Sequence, residues 1–505
     1  MPFSKKTLFF YFFLIPSIFY AGLITHFSYD FFAYDHLWKA YNALATSILN
    51  GRLDVPYEAI GRESLYYNDK VYFYYGYFPV ILRLIVSPLI DLNTVTLARV
   101  SVWLMATIGA AVLQYALIFY SRPKNSPQQW NLLSRIKLIL LSLIVWFGSA
   151  YFIIIQKGMI YHEPYAASLM LGSLFIVLVY KDIFWDFESR KYRLALYAII
   201  AALAVHTRQT VAVSLYLAVI LLIFMSVLDT VKKDGIDKIT FYTYLVEGIK
   251  KSYMPLLILF LGGALLLFMN YLRFDDFLSM GKGQYGYTRA GETISPRACA
   301  TYITGAGRFE IGRIIPNLIY YIKGGSYIHG RLIDYLGLGY VRLEYYKIQF
   351  IWLWSSIFII FLLVSGRIVK ELYVNRNSQT VLVNGLMGAF LISALLLLSY
   401  TTITVRYVAD LWLPLGFALL LFSKQWMADN ISEHKYLWYI IPVSIILNIA
   451  YSTYVYTEYK KWDISTTKDG TVSEEILNKL YNPPPRLSKK EKKEACKKYN
   501  FNTNK

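Results

Sequence analysis

The chain has 505 residues, 56% of them hydrophobic and 16% charged, with a formal net charge of +19 and a mean hydropathy of +0.41. Many apolar runs reach the length that crosses a bilayer, about 18 residues or more, which excludes a soluble globular domain and makes length a poor guide to domain number. Most of the basic residues sit in short loops between those runs, as cytoplasmic loops do, and this excludes a nucleic-acid-binding reading of the charge.

The N-terminus, MPFSKK followed by an apolar run from Thr7 to Phe27, has the charge order of a signal peptide. Its core is too long and lacks a small-residue cleavage site, so it reads as a retained signal-anchor. The apolar runs predict an all-α polytopic membrane protein with about 11 transmembrane helices, within a range of about 10–12. They lie at 7–27, 95–120, 136–155, 164–180, 193–206, 210–228, 253–272, 348–366, 381–400, 407–423 and 437–456. Alternation from Lys5 and Lys6 puts Arg122, Lys124 and Arg135, then Lys181, Arg190, Lys191 and Arg193, then Lys232 to Lys251, then Arg367 to Arg376 on one inner side. Residues 1–457 then form a transmembrane domain, with 28–94 and 273–347 as large outer loops and 458–505 as a basic, disordered tail containing LSKKEKKEACKK. An odd span count puts that tail outside, where its charge fits poorly. There is no repeat of fixed period.

The first outer loop has helical periodicity. Leu37, Ala40, Tyr41, Leu44, Ala45, Ile48 and Leu49 fall on one face, Asp35 precedes that face as an N-cap would, and Gly51 follows it as a stop. An amphipathic helix beside a span is expected to lie flat at the interface, holding Asp35 at the membrane surface. Asp35 is then a candidate general base for an acceptor hydroxyl; the plain alternative is a helix cap worth about 1 kcal/mol. Asp54 in GRLDVP reads as a turn residue, and Glu63 in RESLYYNDK as either a second site carboxylate or a solvated loop charge. Tyr66, Tyr67, Tyr72, Tyr74, Tyr75 and Tyr77 suit a membrane interface foremost, and also stacking on a sugar.

Further candidates fall at the outer ends of spans, where ionisable groups need a cavity or a partner. Arg208 in HTRQT, Arg273 in NYLRF and Arg406 in VRYVAD present planar forks suited to a lipid phosphate, or snorkel to headgroups. His162 and Glu163 either pair in the site or cap the fourth span, and two such residues do not make a zinc site. Asp275 and Asp276 are the one pair that suggests a divalent metal; no other cofactor is indicated. Cys299 and Cys496 have no ligand-spaced partner and read as free thiols more readily than as a disulfide.

The order of these features resembles the polytopic GT-C glycosyltransferases, the superfamily of protein O-mannosyltransferases and lipid A aminoarabinose transferases. In that pattern an acidic residue follows span one, then a helix ending in Gly before an extended segment, as Asp35, the helix to Asn50 and Gly51-Arg52-Leu53 do here. GRLDVP, SLYYNDKVYFYYGYFP, YHEPYAASLMLGS, NYLRFDDFLSMGKGQY and RYVADLWLP are similar, in the same order, to segments of uncharacterised bacterial membrane proteins assigned to that superfamily, so the likeness covers residues 35 to about 414. Departures are Glu63 in place of a frequent Asp, Gln209 in place of a frequent Pro, and Asp35-His36 in place of the acidic doublet of the aminoarabinose branch, whose substrate is therefore not carried over.

The resemblance implies an inverting transferase that moves a sugar from a polyprenyl-phosphate donor to a hydroxyl of a glycolipid, polysaccharide or protein. It implies a bacterial inner membrane with the site facing outside, Asp35 as base, Glu63 as supporting acid and Arg208, Arg273 or Arg406 on the donor phosphate. No glycine loop for a nucleotide is present. Rival readings are a lipid-carrier flippase or transporter, for which related halves or broken helices are missing, and a surface-polysaccharide polymerase or ligase, for which the best loop should come late rather than first.

Overall fold

The computed structural model describes residues 5–121, 132–185, 190–233, 241–278, 309–343, 355–428 and 437–466, less a few positions inside these stretches, together with Glu494. Cys299, Cys496, much of the second outer loop and most of the basic tail lie outside the described residues, whereas 458–466, expected to be disordered, continue the last helix. Long apolar segments fold as helices because only intra-segment hydrogen bonding satisfies their backbone away from water. In chain order the helices are α1 (Lys5–Ile24), α2 (Lys39–Leu49), α3 (Tyr57–Ile60), α4 (Phe78–Val86), α5 (Ala98–Tyr120), α6 (Leu132–Phe147), α7 (Ala150–Ile154), α8 (Glu163–Phe184) and α9 (Arg190–Val205). There follow α10 (Gln209–Lys233), α11 (Phe241–Phe274), α12 (Ile314–Lys323), α13 (Ser326–Tyr335), α14 (Ser355–Val374), α15 (Ser378–Leu398), α16 (Trp412–Ala428) and α17 (Leu437–Thr466). A hairpin of β1 (Leu65–Tyr67) and β2 (Lys70–Tyr72) and a short parallel pair, β3 (Arg342–Leu343) with β4 (Thr402–Ile403), complete it.

Among the described residues, 8 segments are long and apolar enough to cross a membrane: Lys6–Ile24, Ala98–Tyr120, Leu132–Ile154, Glu163–Phe184, Gln209–Val227, Ser252–Phe274, Ser378–Leu398 and Val405–Met427. The protein is an all-α, multi-pass membrane type. The other expected spans, at 193–206, 348–366 and 437–456, fall on helices α9, α14 and α17. The described apolar parts of α9 and α14 are Tyr192–Val205 and Ser356–Ile368, and positions 348–354 of the span expected at α14 lie outside the described residues.

Helices α5 and α8 run along each other at the centre, with α1 on α5, and α9 and α16 on α8; α10 joins α9 to α15, α11 covers α9 and α10, and α14 lies against α16 and α17. One continuous core, with Ala110, Tyr151, Phe175 and Trp412 among its fully buried members, runs through this bundle. Successive spans alternate in direction, so the bundle has two distinct ends. At one of them Trp185 Nε1 donates to Tyr120 O at 3.0 Å, and Lys137 Nζ donates to Trp426 O.

Across the other end lies a layer made from residues 28–97, with a second core of Ala40, Tyr41, Leu44, Ala45, Val55, Ile60, Phe73, Val80, Leu92 and Leu97, joined by Ile160 from the segment before α8. Here α2 departs from expectation. It starts at Lys39 with Trp38 at the N-cap and no side-chain cap, because Leu37 turns into the left-handed region at φ 57° and the Asp35 carboxylate faces elsewhere. Its apolar face is buried against the second core instead of being left for lipid. The stop at Gly51 is as read from the sequence: at φ 69° it takes the left-handed conformation that ends helices and that glycine adopts without strain. Asn68, at φ 48°, does the same for the two-residue turn of the β1–β2 hairpin.

The layer is fastened to the bundle by backbone. Phe78 N donates to His206 O at 2.9 Å, and the approach is so close that a Cβ on Gly76 would stand 2.2 Å from His206 O and 2.6 Å from Thr207 O. The 309–343 segment is tied at the same end: Asn317 Nδ2 donates to Leu398 O at 2.6 Å and to Tyr400 O at 3.1 Å, and Arg313 holds Leu338 O.

Candidate functional site

All seven candidate site residues lie at the bundle end that the 28–97 layer covers, but they separate into two groups. The first group, Asp35, Glu163 and Arg273, is held by partners that join elements of the fold. Asp35 receives Arg99 through both oxygens, Nε to Oδ2 at 2.7 Å and Nη2 to Oδ1 at 2.9 Å, and Arg99 also donates to Asp30 O. Asp35 therefore joins the start of α5 to the chain leaving α1; it does not cap α2. Glu163 at the head of α8 pairs with Arg83 of α4, at 2.9 Å and 2.5 Å, both side chains essentially inaccessible to water. Arg83 has further partners in Pro79 O, Ser101 Oγ and Asn42 Oδ1. A buried pair so supplied is weak evidence for net stability, but losing one member is costly, about 3–5 kcal/mol.

Arg273, in the last turn of α11, is spent on neutral partners. It donates to Phe73 O at 2.6 Å, Met269 O at 3.1 Å and Asn270 Oδ1 at 2.5 Å, and lies beside the Tyr77 ring, 5.3 Å from its centroid. Its role is to hold the tyrosine-rich segment onto α11. Burial raises the Tyr77 hydroxyl pKa, so that phenol stays neutral.

The second group converges. Glu63 accepts the Tyr161 hydroxyl at 2.8 Å and the Tyr75 hydroxyl at 3.3 Å. The Tyr161 ring in turn lies 4.7 Å from the Arg406 guanidinium, which is also 5.5 Å from the Tyr407 ring. Tyr407 stacks on Tyr165, and Arg208 lies 3.8 Å over Tyr165 and 5.3 Å from Tyr407. Arg208 is closed by a bidentate pair with Asp410, at 2.7 Å and 2.6 Å, and Thr210 Oγ1 donates to the same carboxylate at 2.8 Å. Cation–π contacts of this kind are worth about 0.5–2 kcal/mol each, more where water is excluded.

His162 belongs to this group. It is buried, offers no side-chain cap to α8, and its Nδ1 has no hydrogen-bond partner among the described residues. Burial sets its pKa well below that of a free imidazole, and the nearby charges of Arg406 and Lys157 lower it further. The ring is neutral at pH 7. The arrangement thus offers a carboxylate positioned by two phenols, a guanidinium held face-on by aromatic rings, and a neutral imidazole beside it.

The tyrosines do more than form an interfacial belt: Tyr75 serves Glu63, Tyr77 packs on Arg273, and Tyr67 donates to Asp275 Oδ2 at 3.2 Å. Tyr74 and the Tyr66 side chain lie outside the described residues. Asp54 pairs with Arg52 at 3.2 Å beside the hairpin. Asp275 also receives Asn68, and Asp276 accepts the Leu278 amide, so the acidic pair serves the hairpin and its own turn. No group of three or more metal-ligating side chains gathers among the described residues.

Sequence reasoning passed over Arg83, Arg99, Tyr161, Tyr165, Tyr407 and Asp410. Asp410 carried a readable signal, a lone acid inside the apolar stretch RYVADLWLP, and such a residue needs a partner. Arg83, set in VILRLIV, carried the same one. Comparison of the chain with models of protein families, with curated proteins and with solved structures gives no match in any of the three.

Proposed function

We propose that the protein is a membrane glycosyltransferase of the GT-C kind, transferring a sugar from a polyprenyl-phosphate donor to a hydroxyl acceptor at the outer face of a bacterial inner membrane. The observation that carries this reading is the Glu63–Tyr161–Arg406 arrangement at the ends of the spans. An inverting displacement needs a base on one side of the anomeric carbon and fixed positive charge on the other. The acceptor O–H gives its proton to the Glu63 carboxylate as its oxygen bonds to the anomeric carbon. The bond from that carbon to the donor phosphate breaks, and the departing phosphate takes the electron pair beside Arg406.

In this reading Asp35 is not the base, because both of its oxygens are engaged by Arg99; it holds the first layer in place. Arg208 and Arg273 are positioning residues, since their forks are already filled by Asp410 and by backbone carbonyls. Glu163 is the partner of Arg83. The polyprenyl chain would lie in the bilayer that covers the spans, which suits an enzyme without a nucleotide site.

The test is transfer of labelled sugar from a panel of polyprenyl-phosphate sugars in native membranes, with wild type, Glu63→Gln and Asp35→Asn at matched expression. The expected result is transfer by wild type, its loss in Glu63→Gln, and partial retention in Asp35→Asn in proportion to folded protein. Equal transfer by Glu63→Gln and wild type sinks the base assignment; no transfer from any donor by wild type sinks the reaction class and favours the carrier reading.

A further inference from the structure

The layer over the bundle end leaves an apolar face of α4 uncovered among the described residues. Its sequence, FPVILRLIV followed by SPLI, has no polar side chain before Ser87 except Arg83, and Arg83 is turned inward to Glu163. Val80 and Arg83 are buried, whereas Ile81 is 41% exposed, Ile85 68% and Leu89 85%. Ile81 and Ile85 are four residues apart on the side of α4 opposite the second core, and Leu89, in the turn that follows the helix, continues the exposed apolar stripe.

The depth of this stripe is set by its attachments. Phe78 N is bonded to His206 O at the turn before α10, and Tyr77 lies beside Arg273 at the end of α11. Helix α4 therefore sits level with the ends of two spans. The outward faces of those spans are apolar up to that level: Val213 and Leu217 on α10, and Leu265, Phe268, Tyr271 and Leu272 on α11, are all exposed. Whatever medium covers them extends to α4. The stripe ends in a polar turn, where the exposed Asp91 carboxylate accepts the Asn93 amide at 2.9 Å and the Thr94 hydroxyl at 3.1 Å. Helix α2 differs: its exposed positions are Lys39 and Leu49, with the exposed Asn50 at its C-cap, and it has no apolar stripe.

We infer that α4, not α2, is the interfacial helix of this protein: Ile81, Ile85 and Leu89 lie among the lipid acyl chains while the Asp91–Thr94 turn stands in the headgroup layer. An apolar stripe sunk about 5–10 Å below the headgroups is how helices lying on membranes bind. The inference rests on the membrane character of the chain and is independent of the reaction proposed above.

The test uses full-length protein in phosphatidylcholine–phosphatidylglycerol liposomes, in a Cys299→Ser, Cys496→Ser background, with a nitroxide on Ile85→Cys or Leu89→Cys and, as references, on Asn50→Cys or Asn93→Cys. Collision rates with oxygen, which concentrates in lipid, and with a water-soluble nickel chelate are compared. The expected result is an oxygen-to-nickel ratio several-fold higher at positions 85 and 89 than at 50 and 93. Nickel accessibility at 85 and 89 equal to that at 93 overturns the inference, as does low accessibility to both reagents, which would mark a protein contact or a second copy. Ile81→Cys, on the same stripe, gives an independent reading if a label at 85 prevents recovery of monodisperse protein.

Discussion

At His329 the ring is buried and its Nε2 donates to Asn317 Oδ1 at 2.9 Å, since the Asn317 amide nitrogen is already committed to Leu398 O and Tyr400 O. Burial lowers its pKa to about 4, against about 6.5 for a free imidazole. As pH falls, the unfolded chain takes up this proton first. The stability associated with the neutral ring is thus complete above about pH 6.5 and is lost progressively toward pH 4, by up to about 1.4 kcal/mol per pH unit. Thermal unfolding in detergent should show His329→Gln, whose amide can still donate to Asn317, losing less stability than wild type between pH 7 and about pH 4.5; equal losses would remove His329 from the account. The Arg83–Glu163 pair allows a second test at this scale. Arg83→Met strands a buried carboxylate and should cost about 3–5 kcal/mol. Adding Glu163→Gln to it should restore part of that loss, so a double variant no more stable than Arg83→Met would mean that the two side chains do not act as a pair.

Among the elements, the join between the first layer and the α9–α10 turn is the most constrained. A Cβ at Gly76 meets backbone oxygens, which cannot rotate away as a side chain would. Gly76→Ala should therefore cost about 1–3 kcal/mol, in the range of overpacking, and increase proteolysis within 28–97. Gly51→Ala has open space around it and only the positive φ to oppose it, about 1–2 kcal/mol; if it proves the more damaging of the two, the close approach at Gly76 is wrong. These two glycines show what was legible in the sequence. Gly51 follows a periodic run, so local pattern reveals its role; Gly76 owes its role to a turn some 130 positions away, which local pattern does not contain. The same division holds for the site. Helix positions and the ionisable residues at span ends could be read from hydropathy, whereas partners such as Arg99 for Asp35 and Asp410 for Arg208 are set by packing between distant helices. The α2 cap failed because a bidentate arginine outcompetes a lone helix start for one carboxylate. The apolar face of α2 is covered by protein, and an apolar face seen in sequence does not reveal whether protein or lipid covers it.

Over the whole molecule, the ion pairs and the aromatic run divide the labour between holding the bundle and presenting charge. Arg208 and Asp410 are 202 positions apart and clamp the α9–α10 turn to the link between α15 and α16. That link also carries Arg406 and Tyr407, so the clamp fixes where the Arg406 guanidinium stands. Two substitutions separate the roles. Arg208→Lys keeps the charge but loses the planar fork, which a bidentate pair requires, and should lower the unfolding midpoint in detergent along with any activity. Arg406→Gln removes the charge beside the Tyr161 and Tyr407 rings, and should abolish the proposed sugar transfer with a smaller drop in the midpoint than Arg208→Lys. Measured on the same preparations, a large loss of stability in Arg406→Gln would make it a second structural arginine and leave the proposed site without its candidate phosphate-binding group. Full stability and full transfer in Arg208→Lys would mean that the clamp does not position the site at all.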